Sequence, residues 1–407
     1  MADMMDYLDW RGDVPFSASP FNEVDNLILS EVAYVDFEGI VPGPDEWAEA
    51  KTPQMKKAAT ISVTDALIRF WELHTKEEID SSGTFYKKAP YVLEKLCSGP
   101  RFGNIYLAGY INQVSAEKDE QMSAITFFLP DGTAFAAFRG TDDSLIGWKE
   151  DFTFSFRKTT AGQKSASEYL NKMFGIHAET ECREYSFDNG LNLKKNYPIR
   201  VGGHSKGGNF AVYASAFCAE NVKNRIACVY NNDGPGVLEE TARTKEYKEI
   251  LPKVYSIIPQ ESLFGLLLHS GYCHKVIKSS AKGLFQHDAL TWQVKRSRFE
   301  EVAHVSEKSL MLEKAIESWV YGMTLEEREK TVNILFTLFE ETGFENISEF
   351  GSEQFRGIPE LLRAYGEMSA EEQHMLREVI MRMFKSGASS LSEELQEKLA
   401  AYRKGIW

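Results

Sequence analysis

An α/β fold, with a mostly parallel central sheet flanked by helices and a helical C-terminal appendage, is predicted by three stretches of this 407-residue sequence. The first is Phe135-Ala136-Ala137-Phe138, an apolar run short enough to be a buried strand. The second runs from the apolar residues 199–201 through Gly203-His204-Ser205-Lys206-Gly207-Gly208 into residues 209–216, so that a strand gives way to a helix across a glycine-rich turn. The third is Ile226-Ala227-Cys228-Val229-Tyr230, β-branched and aromatic, closed by the turn residues Asn231-Asn232-Asp233-Gly234-Pro235-Gly236. Strands separated by helices pair in parallel, because the crossover carries the chain back to the edge it started from.

Residues 1–98 are expected to form a helical and irregular segment that packs on the core. Within it, residues 22–34 place apolar side chains at helical intervals, and residues 64–74 and 86–97 suggest two further helices. The α/β core is expected over residues 99–295, starting with a strand at 105–114 and a hairpin of residues 122–129 and 133–138 joined through Asp131-Gly132. A helix over 165–174 precedes the glycine-rich turn, and a later strand over 253–258 ends at Pro259-Gln260-Glu261-Ser262. From 296 to 407 the sequence turns Glu/Lys-rich, with helical spacing in Leu312, Ile316, Trp319 and Val320, in Val332, Leu335, Phe336, Leu338 and Phe339, and in Leu376, Val379, Ile380, Met383 and Phe384. Thr324-Leu325-Glu326-Glu327 and Ser369-Ala370-Glu371-Glu372 have the form of capping boxes that start two of these helices. No repeat and no catalytic constellation is found in this region.

Residues 203–207 fit G-x-S-x-G. A serine on a sharp strand-to-helix turn has strained backbone angles and an exposed hydroxyl, and flanking glycines keep the turn clear of its neighbours. Ser205 is therefore the candidate nucleophile, with a helix N-cap as the alternative role. Phe138-Arg139-Gly140-Thr141, Trp148-Lys149-Glu150-Asp151 and the glycine-rich turn match, in order, the F-R-G-[ST], W-x-x-D and G-H-S-x-G-G motifs of the class 3 lipases. Over about residues 100–295 the chain resembles that family, and within it a group of bacterial lipase-like proteins that carry Lys after the serine and Asn-Asp-Gly-Pro-Gly further on. The resemblance implies an α/β-hydrolase working as a serine carboxyl-ester hydrolase on an acyl ester or lipid, without metal or cofactor. It also implies backbone oxyanion donors at Thr141 and Lys206, with Asp151 bracing the oxyanion loop. Where fungal and plant members carry an apolar residue this chain has Lys206, and a backbone donor there does not depend on the side chain.

The remaining triad members follow the serine in the order acid, then His. His287, in Gly283-Leu284-Phe285-Gln286-His287, occupies the turn-like setting expected of the base. His269 and His274 read as a wall of the acyl pocket, and His304 and His374 as solvated helix residues. Asp233 ends the strand after the turn helix, where catalytic groups gather in open α/β sheets. Glu261 ends the next strand and competes with it, since the resembled lipases keep their acid at about that place. The tight Asp-Gly-Pro-Gly turn favours Asp233, whose plain alternative is a turn aspartate bonded to its own backbone. The apolar residues 263–268 and 145–148 are expected to flank the scissile bond, the latter in place of a longer lid.

Composition narrows the partners. With 46 Lys and Arg against 60 Asp and Glu, the net charge of −14 repels nucleic acid and gives no electrostatic help on anionic membranes. No window approaches the roughly 18 apolar residues of a membrane span. Residues 1–11 are acidic and lack an apolar stretch, so a cytoplasmic protein is expected. The five cysteines, at 97, 182, 218, 228 and 273, are scattered without C-x-x-C spacing, and Cys218 and Cys228 read as core. H-E-x-x-H and a full P-loop are absent, and Asp142, Asp143, Glu150 and Asp151 do not follow EF-hand spacing, so neither a metal nor a nucleotide is expected. Two other functions fit the same sequence: an inactive scaffold whose C-terminal helices bind a partner, and an acyltransferase or thioesterase on the same triad. The oligomeric state is left open.

Overall fold

A computed structural model describes residues 2–82, 87–142, 144–175, 184–186, 192–194 and 196–340, together with 363, 366 and 373. Eight strands form one sheet in which spatial order equals chain order: β1 (Ile61–Ser62), β2 (Tyr106–Ser115), β3 (Glu120–Phe128), β4 (Ala134–Phe138), β5 (Ile199–His204), β6 (Ile226–Asn232), β7 (Val254–Pro259) and β8 (His274–Ile277). Strands β1 to β4 pair antiparallel and β4 to β8 pair parallel. The change comes where hairpin turns give way to helical crossovers, at β4, the apolar run 135–138. The α/β fold expected from the sequence, with a mostly parallel sheet flanked by helices, is observed, and the sheet is mixed because its first four strands pair antiparallel. The sequence reading had not placed β1, which is only two residues long.

Burial on both faces explains why the central strands are apolar without alternation. Along β4, Phe135 and Ala137 join one hydrophobic cluster while Ala134, Ala136 and Phe138 join the other. Successive side chains point to opposite sides of a strand, so β4 supplies both cores at once. Each of its two fully buried phenylalanines contributes roughly 2–3 kcal/mol of apolar burial.

The first face is covered chiefly by the N-terminal residues, including Val24, Leu27, Ile28, Phe70, Val92 and Leu93. The helix Glu23–Val32 starts at a capping box on Asn22 and is buried along nearly its whole length. Helices Val63–Leu73 and Ala89–Cys97 form where helical spacing indicated them, and Met4–Arg11 is an additional helix. The other face is covered by the helix Ala161–Phe174 and by Lys206–Phe217, whose first eleven residues are all buried. A fully buried pair, Arg101 Nη2 to Asp25 Oδ2 at 2.5 Å, fastens the N-terminal segment to the start of the α/β core.

Helices Glu307–Tyr321 and Leu325–Glu340 follow the sheet. The second opens with the expected box, in which Thr324 N donates to Glu327 Oε2 (2.7 Å) and Glu327 N to Thr324 Oγ1 (3.2 Å). The apolar stripe at 376–384, the box at 369–372, His374 and Cys182 lie outside the described residues. His304 is exposed in a bend before the helix Glu307–Tyr321, not within a helix as its charged surroundings suggested. Residues 145–148 open a helix that the sequence reading had not placed, Leu145–Thr153, N-capped by Ser144. Leu145 packs there with Phe156, Val332 and Phe336, so the C-terminal helix gives this segment an apolar partner that its local sequence did not reveal.

Candidate active site

Parallel strands deliver their carboxyl ends to one edge of the sheet, and four chain segments that carry candidate residues meet there. Ser205 follows β5 directly, with φ 57° and ψ −131°, a backbone conformation that costs a non-glycine residue of order 1–3 kcal/mol. Its side chain makes no capping bond to the helix it precedes, so the plain N-cap role is not the one it plays. Surrounding hydrogen bonds hold the turn: Ser205 N donates to Asn232 O at 2.9 Å and Gly208 N to Ser205 O at 2.8 Å. The flanking glycines are sterically required. A Cβ on Gly207 would lie 2.0 Å from the Phe138 carbonyl oxygen, so only glycine lets the elbow helix come this close to the end of β4.

Asp233 follows β6, also at positive φ (54°), and is fully buried. Its Oδ2 accepts a hydrogen bond of 2.6 Å from Nδ1 of His287, a residue 54 positions away on the turn Gly283–His287. Its Oδ1 accepts from the Ser262 hydroxyl and from Gly265 N at 3.2 Å. It is therefore not a turn aspartate bonded to its own backbone. The carboxylate fixes the His287 proton on Nδ1 and leaves the Nε2 lone pair free. Phe264 packs its ring 4.3 Å from that of His287.

The competing residues have other partners. Glu261 accepts through Oε2 from Gly283 N, and its own N–H donates to Gln286 Oε1 at 2.9 Å, so it braces the turn that carries His287. His274 bonds to Ser256 Oγ (2.8 Å) at the start of β8. His269 pairs through its backbone with Val237, and its Nε2 lies 3.0 Å from Tyr321 Oη at the end of the helix Glu307–Tyr321.

Gly140 and Thr141 come off β4 beside the elbow. A Cβ on Gly140 would lie 3.0 Å from the Ser205 Cβ, 2.7 Å from the His204 carbonyl oxygen and 2.1 Å from the Tyr34 hydroxyl, which is why the Arg-Gly-Thr segment needs its glycine. Thr141 Oγ1 donates to Asp151 Oδ2, so Asp151 does brace this loop. Burial pushes the Asp151 carboxyl up to about 6, while the Lys206 charge pulls the other way. Lys206 opens the elbow helix, and its side chain runs into the interior to Gln121, Gly147 and Glu150.

Several residues at the site were not singled out from sequence. Ser262 and Gly265 hold Asp233, a role that neither the strand end 259–262 nor the apolar segment 263–268 announced. Glu31 and Tyr34 come from the N-terminal segment with no local signature at all. His204 Nε2 donates to the His287 carbonyl oxygen at 2.8 Å, so its Nδ1 is left to accept from Tyr34 Oη at 3.2 Å, with Glu31 Oε1 3.5 Å away. Burial first, and the charge of His287 second, hold His204 well below the usual histidine range. Asn26, one turn before Ser30, donates to Asn232 Oδ1 at 2.8 Å, and Asn232 Nδ2 donates to Gly203 O at 3.1 Å, so this helix is tied to β6 and, through Asn232, to β5.

Burial, reinforced by Asp288, raises the Glu31 carboxyl from 4.5 to about 8. The fold thus favours the protonated form, and the stability associated with this group is highest below about 4.5 and falls as pH rises to about 8. Glu31→Gln is expected to be more stable than the wild type at pH 9, by on the order of a few kcal/mol, and so to melt at a higher temperature, with the gap closing toward pH 5. Melting curves at the two pH values check this, and parallel curves would contradict it.

A mixed α/β sheet whose fifth strand runs through a strained serine elbow into a helix, with an Asp–His pair on the following strand and turn, has the α/β-hydrolase fold. The chain belongs to the Mbeg1-like family, whose model matches residues 96–337, more than half of the sequence and including most of the last described helix. Among solved structures it is similar to the crystal structure of M37 lipase, with 16% sequence identity and a TM-score of 0.30 over 43% of this chain and 62% of that one. The chain therefore spans less than two thirds of that lipase. No curated protein matches. Among the described residues no helix is long and apolar enough to cross a membrane, and no cluster of three or more His, Cys, Asp or Glu side chains is placed to hold a metal ion.

Proposed function

We propose that this chain is a serine carboxyl-ester hydrolase acting through Ser205, His287 and Asp233. The observation that carries the reading is the 2.6 Å bond from His287 Nδ1 to the buried Asp233 carboxylate, beside a serine whose φ of 57° presents it on a glycine-lined elbow. Ser205 Oγ attacks the ester carbonyl and its proton passes to His287 Nε2. The negative oxygen that forms is met by the backbone N–H groups of Thr141 and Lys206. The tetrahedral intermediate collapses, the alcohol leaves with the proton from His287, and an acyl-Ser205 ester remains. Water, deprotonated by the same imidazole, then releases the acid and restores the serine. Asp233 holds the imidazole through its Nδ1–H and stabilises the imidazolium.

The half-buried Phe264 ring against His287, in the apolar segment 263–268, favours a carboxylic ester with an apolar acyl chain, taken from solution. Hydrolysis of p-nitrophenyl esters from acetate to octanoate tests this. The expected kcat/KM rises about fourfold per methylene, the equivalent of about 0.8 kcal/mol, until the pocket is full. A flat series, or activity only above the solubility limit of the ester, would contradict it.

A further inference from the structure

The residue after Ser205 places its backbone at the site and its charge elsewhere. The Lys206 side chain is completely buried, as is that of Glu150, and Nζ lies 3.5 Å from Glu150 Oε2. Nζ also donates to Gln121 Oε1 at 2.5 Å and to the Gly147 carbonyl at 3.2 Å. Glu150 in turn accepts from Gln121 N at 2.9 Å and from Gly162 N at 2.8 Å, so one ion pair ties together the elbow helix, β3, and the helices Leu145–Thr153 and Ala161–Phe174. Desolvating two charges costs several kcal/mol per ion, and well-packed apolar residues of similar volume hold such a place at least as well. Stability alone therefore does not account for a lysine here.

What the pair does that an apolar residue would not is fix one element against another. The carbonyl gripped by Nζ belongs to Gly147, and a Cβ on that glycine would lie 3.0 Å from Thr141 Cγ2 and 2.7 Å from the same Gln121 Oε1. Gly147 is packed against Thr141, and Asp151, one residue past Glu150, holds the Thr141 hydroxyl. The side chain thus spans from the elbow, where Lys206 N opens the helix, to the helix that sets Thr141.

We propose that Lys206 is a positioning residue whose buried side chain, clamped by Glu150, Gln121 and the Gly147 carbonyl, sets the separation of two oxyanion donors, its own backbone N–H and that of Thr141. This rests on the acyl-transfer reading given above. With the clamp removed, the donors lose their fixed spacing while the acyl-binding side chains stay where they are.

The test compares wild type, Lys206→Met, Glu150→Gln and the double variant in ester hydrolysis, with the folded fraction of each counted from its thermal melt. Lys206→Met is expected to lower kcat per folded molecule by on the order of 10²-fold, the scale of losing one oxyanion donor, with KM changed less than threefold. Glu150→Gln should fall in the same direction, and the double variant should be no slower than the worse single, because both act on one clamp. The double variant, which buries no unpaired charge, is expected to recover melting temperature without recovering kcat. A kcat that returns with the melting temperature, or single variants that melt early but turn over at the wild-type rate per folded molecule, would overturn the proposal and leave a purely structural ion pair. Should Lys206→Met fail to fold, the double variant decides alone by the same criterion. A wild-type protein that neither hydrolyses esters nor labels at Ser205 would overturn the acyl-transfer reading itself, and the proposal with it.

Discussion

Ser205→Ala is expected to lower kcat for p-nitrophenyl ester hydrolysis by on the order of 10⁵–10⁶-fold while leaving the melting temperature close to that of the wild type. The loss is large because the attacking atom is gone. The fold is spared because the side chain makes no capping bond, and the backbone that holds the elbow, from Ser205 N to Asn232 O and from Gly208 N to Ser205 O, is retained. His287→Ala should be almost as damaging, and the double variant no worse than either single, since a serine without its base is a weak nucleophile. Steady-state rates on folded protein check this. Wild-type turnover by Ser205→Ala would end the assignment, and a dead His269→Ala or His274→Ala beside an active His287→Ala would move the base.

The second large effect separates the two carboxylates. Asp233→Asn replaces the acceptor of the His287 Nδ1 proton with an amide that turns the imidazole to the wrong tautomer, and a loss of about 10⁴ in kcat is expected. Glu261→Gln keeps an acceptor for Gly283 N and touches no ring, so its kcat should stay within severalfold of wild type. Because Asp233 also receives Ser262 and Gly265, its melting temperature has to be measured beside its rate. The reverse ranking would shift the acid to the end of β7.

Much of this was legible from sequence, for reasons that differ by element. The strands around the elbow could be read because burial on both faces leaves an unbroken apolar run, as in 135–138, and because glycine is the residue that permits a helix to close on a strand end, as at Gly207. Between Asp233 and Glu261 the sequence offered only the tight Asp-Gly-Pro-Gly turn in favour of Asp233, since both residues end neighbouring strands and present carboxylates at the same edge. In the structure the turn 283–287 places His287 Nδ1 on Asp233 and turns Gly283 N toward Glu261, which is the contact pattern behind the proposal of Asp233. The helix Leu145–Thr153 escaped notice because its apolar side is completed by Val332 and Phe336, far along the chain. Glu31 and Tyr34 reach the elbow only because the helix Glu23–Val32 docks through Asn26 and Ser30 onto Asn232. Their spacing alone reports an amphipathic helix and nothing about where it lands. Lys206 was read through its backbone, and its side chain shows its role only once Glu150 and Gly147 stand beside it.

The central claim is that Ser205 is an activated nucleophile, and the most direct measurement is mass spectrometry of the peptide bearing Ser205 after treatment with a fluorophosphonate. The account predicts one phosphonyl group per folded chain, located on Ser205, lost in Ser205→Ala and formed orders of magnitude more slowly in His287→Ala. Folded wild-type protein that remains unlabelled at concentrations that saturate active serine hydrolases, or that carries the label on another residue, would contradict it.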